Sequence, residues 1–88
     1  MRRVVVTGIG AVNSIGLDVP SVLDSLRAGR SGGGPITRFD VSESPVTIAC
    51  EVKGFDPETV LDRKAARRSD RYVQLAVAAA REAERSSG

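Results

Sequence analysis

The sequence predicts an α/β fold with the element order β-α-β-α, on three observations. Val4, Val5 and Val6 form a β-branched run that feeds a Gly-rich turn, the pattern of a strand covered on both faces. Val19, Val22, Leu23 and Leu26 then recur at helical spacing. Val46, Ile48, Cys50 and Val52 alternate with Thr47, Ala49, Glu51 and Lys53, the period of two of a half-buried strand, before a second helical stretch begins.

Each element has its own punctuation. The turn after the first strand runs from Gly8 to Gly16, and Asp18 and Pro20 suit the entry of the first helix. Gly29 stands where a left-handed C-terminal residue is wanted. Arg30 to Pro35, RSGGGP, is expected to be a loop, mobile unless packed, since three consecutive glycines carry a large ordering cost. Asp56-Pro57-Glu58-Thr59 is a helix start, with Asp as cap, Pro in the first position and Glu at the positive dipole end. The helical stretch continues with a break near Ser69. From Tyr72 to Ala83 it is Ala-rich, and Tyr72, Ala76, Ala79 and Ala83 share a face suited to close packing on a neighbour. The ERSSG tail is expected to fray.

Two strands do not make a stable sheet by themselves, so the sheet is expected to be incomplete and residues 1–88 to be one portion of a larger domain. A chain of 88 residues is small for an independent core. With no histidine, Ser-His and Cys-His nucleophile pairs and His-ligated metals are excluded. A single cysteine excludes an intrachain disulfide and a CxxC site, and it fits a reducing compartment. The MRR-VVV opening faintly mimics a secretion signal, but Thr7, Gly8 and Gly10 interrupt it and no run is long enough to cross a membrane. The expectation is a soluble cytoplasmic chain with no membrane partner.

Three features invite a functional assignment. The opening RVVVTGIGAV could cradle a phosphate at a helix N-terminus. However, Asn13 stands where the third glycine of a dinucleotide motif belongs, and Val12 and Ser14 stand where a short-chain dehydrogenase pattern needs glycines. Cys50 lies on the apolar face of a strand with no histidine to activate it, so it is expected to be a buried, inert hydrophobe. The third feature is RKAARRSDR, from Arg63 to Arg71, with five basic residues and one acid, although the whole chain carries a formal charge of only +2. Arg63, Arg67 and Arg71 fall four apart on one helix face, flanked by Lys64 and Arg68. Like charges at this spacing repel by roughly 0.2–0.5 kcal/mol per pair, and an acidic partner would relieve that. The bland alternative is a solvated face with Asp62 and Asp70 as internal partners. Nucleic acid is disfavoured, because no aromatics interleave with the charges to stack bases. Asp24, Glu43, Glu51 and Glu58 are scattered without acid–base spacing.

Taken together, RRVVVTGIGAV, LRAGRSG, GPITRFDVS, ACEVKGFDPE and LDRKAARRSDRYVQLAVAAAREA resemble, in collinear order, the start of the β-ketoacyl-acyl carrier protein synthases of type II fatty-acid and polyketide synthesis. The resemblance spans nearly all 88 residues. It implies a thiolase-like fold built from two similar halves, usually a homodimer, of which this chain supplies the N-terminal part of the first half. It also implies decarboxylative Claisen condensation on an acyl-loaded Cys assisted by two histidines. Those residues belong to motifs past this segment, and Cys50 does not occupy the nucleophile's motif, so no catalytic, cofactor-binding or metal-binding residue is expected here and no cofactor is implied. What carries over is carrier-protein docking: in R-K-x-x-R-[KR]-x-D, the matching positions are Lys64, Arg67 and Arg68.

The chain also departs from the family pattern. Asn13-Ser14-Ile15-Gly16 replaces the usual T-P-[LV]-G turn, Leu23 replaces an aromatic, Arg27 replaces an apolar residue and Ser69 stands where Met is common. These changes, with the polar tail, suggest a drifted or shortened copy, or a segment cut from a longer chain; lacking the family's Cys and His motifs, the segment alone is not expected to catalyse condensation. The competing expectations are a small non-enzymatic module that binds an acidic protein through residues 63–71, and a nucleotide-binding β-α unit.

Overall fold

The computed structural model describes residues 2–88. In chain order it contains helix α1 (Val19–Ala28), strands β1 (Gly33–Pro35) and β2 (Ile48–Cys50), a 3₁₀ turn (Pro57–Thr59), helix α2 (Arg63–Arg68) and helix α3 (Arg71–Ser87). The order therefore differs from the expected β-α-β-α. Residues 3–12 form no ladder, because no described segment offers them strand hydrogen bonds, and Val4 is 95% exposed.

The opening segment packs on a helix instead. A Cβ at Gly8 would overlap the Ala83 carbonyl, and one at Gly10 would overlap the Ala79 carbonyl. The geometry matches: two residues of extended chain rise about 6.6 Å, and four residues of helix rise about 6.0 Å. Gly8 and Gly10 thus meet Ala83 and Ala79 at nearly the same pitch, running antiparallel to α3. The glycines permit this close backbone approach, and the small side chains of the helix match it.

The α3 carboxylate Glu82 locks the arrangement. Its Oε1 accepts from the Ala11 amide at 2.9 Å and its Oε2 from the Val19 amide at 2.8 Å. Val19 is the first residue of α1, where an unpaired N–H and the helix dipole both favour an anion. Asp18 adds the side-chain cap, accepting from the Ser21 amide at 2.9 Å. At the other end of α1, Gly29 takes φ 69° and ψ 30° and its amide closes on Leu26, as expected. The buried Ser25 donates to the Ile15 carbonyl at 2.6 Å, which ties α1 to the preceding turn. That turn is held by Asn13, whose side chain accepts from the Ile15 amide.

RSGGGP is not simply a loop. Gly33, Gly34 and Pro35 pair antiparallel with Cys50, Ala49 and Ile48. Side chains fasten both ends of this short ladder: Lys53 Nζ donates to the Gly32 carbonyl at 3.1 Å, and the Glu51 carboxylate accepts from the Thr37 hydroxyl at 2.9 Å and from the Thr37 and Arg38 amides. The alternation expected to place Ile48 and Cys50 inward is inverted. Both are exposed and Ala49 is half-buried, since no described layer covers the Ile48–Cys50 face.

The buried apolar residues are Ala66 and Ala78, accompanied by the polar Ser25 and Gln74. The radius of gyration is 15.8 Å, against about 12 Å for a compact domain of this length. Among the described residues, cohesion comes from close backbone packing and hydrogen bonds, without a core of large side chains. The expected α3 face is only partly used: Ala79 and Ala83 are half-buried, while Tyr72 and Ala76 are exposed. The tail does not fray, because α3 runs to Ser87.

Candidate docking surface

Asp56, Asp62 and Ser69 divide the basic region into short, separately capped pieces. Asp56 accepts from the Glu58 amide, but the helix it starts is a single 3₁₀ turn that ends at Val60. The second start belongs to Asp62, whose Oδ1 accepts from the Ala65 amide at 2.8 Å and opens α2. Ser69 ends α2 in extended backbone, at the expected break, and its hydroxyl closes the Ala65 carbonyl at 2.8 Å.

This division redistributes the expected stripe. Lys64, Arg67 and Arg68, at i, i+3 and i+4, share one exposed face of α2, and none of them makes an ion pair with a described residue. Arg63 joins the same helix but lies 3.8 Å from Glu58. A shallow groove of about 300 Å³ is lined by Arg63, Lys64, Arg67 and Arg68. Arg71 leaves the stripe, correcting the expectation of a 63–67–71 row. It opens α3, donates through Nη2 to the Val52 carbonyl at 3.2 Å and lies 5.1 Å from the Phe55 ring centroid in a cation–π contact. The internal acids do not neutralise the patch. Asp62 is spent on the cap, and Asp70 forms no ion pair among the described residues. Arg67 and Arg68 occupy the last turn of α2, where cations are favoured by the dipole. The result is a compact, exposed cationic face whose chemistry suits carboxylates or another anionic surface.

The other candidates fare differently. The α1 N-terminus, the one place where the opening motif could hold a phosphate, already carries the Glu82 and Asp18 carboxylates, and Gly8 and Gly10 are covered by α3. Cys50 is free and exposed, which corrects its expected burial, and it lies in a two-stranded ladder in a chain without histidine. Among the described residues no group of three or more His, Cys, Asp or Glu could hold a metal, and no helix is long and apolar enough to cross a membrane.

Sequence patterning missed two residues that tie distant parts of the chain together. One is Glu82, which holds the opening segment and the α1 entry against α3. The other is Gln74, 9% exposed, which donates through Nε2 to the carbonyls of Ala66 and Ser69 at 2.8 and 3.2 Å. The signal for Gln74 was available: it is a polar residue between Val73 and Leu75, one turn before the buried Ala78.

The sequence matches the family described as Beta-ketoacyl synthase, N-terminal domain, over residues 1–88. It is 51% identical over 87 residues to 3-oxoacyl-[acyl-carrier-protein] synthase 2 of Coxiella burnetii, covering 99% of this chain and 21% of that protein. It is 48% identical over 82 residues to the protein of the same name from Synechocystis, covering 93% and 20%. It is 40% identical over 87 residues to the chloroplastic 3-oxoacyl-[acyl-carrier-protein] synthase I of Hordeum vulgare, covering 99% and 19%. The chain thus spans about a fifth of the length of these relatives. With a match that runs along all of its 88 residues, this chain belongs to the β-ketoacyl synthase N-terminal domain family.

Proposed function

We propose that this chain is the N-terminal portion of a thiolase-like domain of a 3-oxoacyl-[acyl-carrier-protein] synthase, and that its own contribution is to dock the carrier protein. The observation that carries this is the exposed, unpaired set Lys64, Arg67 and Arg68 on one face of α2, in a chain whose relatives are named for acyl carrier protein. The reaction served is decarboxylative condensation of an acyl group with malonyl-carrier protein, in the cytoplasm and in a homodimer. The chain has no histidine, and Cys50 sits in a sheet ladder, so the residues described here do not perform that chemistry themselves.

Docking through these cations works mainly by steering. Each exposed ion pair contributes about 0–1 kcal/mol, while a complementary field raises the encounter rate and fixes orientation. Titration of the chain into fluorescently labelled acyl carrier protein tests this. Arg67→Glu with Arg68→Glu removes two attractive contacts and adds two repulsive ones, so affinity at low salt should fall roughly 10- to 100-fold. The parent's affinity should itself decline as ionic strength shortens the screening length. Folded-state stability should fall only modestly, by about 0.3–1 kcal/mol for each anion placed in the last turn of α2, because both side chains are exposed and make no ion pair with a described residue. Equal affinity of the parent and the reversed variant at low salt would overturn the docking assignment.

A further inference from the structure

The cationic face is carried by a helix of only six residues, too short to hold its shape by propensity alone. Its direction must therefore be fixed from outside. Asp62 fixes the entry through the Ala65 amide. At the exit, Ser69 supplies a local bond to Ala65. Among the described residues, the only side chain from α3 that reaches α2's carbonyls is Gln74, the fourth residue of α3. Its Nε2 donates to Ala66 in α2 and to Ser69 at the junction, so one amide group grips both sides of the elbow. The side chain is 9% exposed, and Ala66 is also buried. A buried polar group of this kind is retained at a cost unless its partners are met, and both of its amide hydrogens are aimed at carbonyls.

Arg67 and Arg68 follow Ala66 directly in the chain. Whatever sets the Ala66 carbonyl sets the direction in which the two arginines leave the helix. We propose that Gln74 is a positioning residue for the docking cations: it fixes the angle between α2 and α3 and so aims Lys64, Arg67 and Arg68 at the anionic partner. This rests on the docking function proposed above and adds to it the residue that orients the patch.

The test is Gln74→Met, which keeps side-chain length and apolar packing but removes the donor. In the 88-residue chain, amide hydrogen exchange at residues 66–69 should accelerate by about tenfold or more, with residues 77–81 of α3 unchanged. Binding of labelled acyl carrier protein should weaken about three- to tenfold. In an Arg67→Ala, Arg68→Ala background the same substitution should change binding by less than about twofold, because there is little left to aim. A purely structural role predicts the same loss in both backgrounds, and that result overturns the proposal, as does unchanged exchange at residues 66–69. If the parent fails to bind acyl carrier protein, the docking function falls, and the exchange measurement alone decides whether Gln74 orients α2.

Discussion

The N-terminus of α1 and the exposed face of α2 both begin as places for an anion, and the chain treats them in opposite ways. At α1 two carboxylates from the chain itself fill the position: Asp18 as local cap and Glu82 from 63 residues away on the first helical amide. At α2 Asp62 is used as a cap and Glu58 reaches only Arg63, so among the described residues Lys64, Arg67 and Arg68 stay open. Charge that is satisfied internally holds the fold, and charge left unsatisfied is available to a partner. Residue type does not separate the two cases, since both regions are rich in capping Asp and basic or amide donors. The difference lies in which long-range side chain arrives.

The filled position is disturbed most by a change at the close approach beneath the α1 entry. Gly10→Ala places a methyl group into the Ala79 carbonyl, so the opening segment must lift away from α3 and release the Glu82 contacts with it. The expected cost is about 1–3 kcal/mol, read as a lower urea midpoint by circular dichroism. An unchanged midpoint in the Gly10→Ala variant would mean that the segment does not pack as described. Glu82→Ala should come next, at about 1–2 kcal/mol, because it leaves the Ala11 and Val19 amides without their charged acceptor. It should leave carrier-protein affinity untouched, and a loss of affinity there would mean that the filled and the open anion positions are not independent.

The smallest effect is on pH. The Glu51 carboxyl is held below its ordinary range, first by the Thr37 hydroxyl and then by the Thr37 and Arg38 amides, with the Arg38 charge adding. Asp18 is lowered by the Ser21 hydroxyl and amide, and Asp40 by the Ser42 amide and hydroxyl. For each, the folded state favours the ionised form. The stabilisation is therefore fully present above the ordinary carboxylate value and is lost as pH falls through the lowered one. Stability should be flat near neutrality and should decline only under acid conditions. Thr37→Val should flatten part of that decline, and a chain whose stability instead falls between about pH 6 and 8 would contradict it.

Local chemistry is the legible part. The Asp18 cap, the left-handed Gly29, the break at Ser69 and the basic positions of α2 all follow from residue type at short range, and the structure has each of them. The failures also share a cause. Val4 to Val6 and the Ile48–Cys50 face are expected from their pattern to be covered, but hydrophobic periodicity says only which side wants a neighbour, not whether a described segment supplies one. RSGGGP pairs because Ile48–Cys50 comes alongside it, which composition does not encode. Arg71 leaves the stripe because a two-residue break rotates α3 away from α2, and a four-residue spacing holds only within one continuous helix.

Residue type at short range is enough to specify the Asp18 cap, the left-handed Gly29 and the break at Ser69, and the resemblance along the whole chain supplies the family and the three cations that remain exposed. They say nothing of what Gly8 and Gly10 are for, which anion position is already filled, or what orients the basic helix. Each of those answers came from the folded chain, through side chains or backbone brought together from distant points: Ala79 and Ala83 against the glycines, Glu82 across to Val19, and Gln74 back to Ala66. Contacts of that kind are set by packing geometry, which no local pattern specifies.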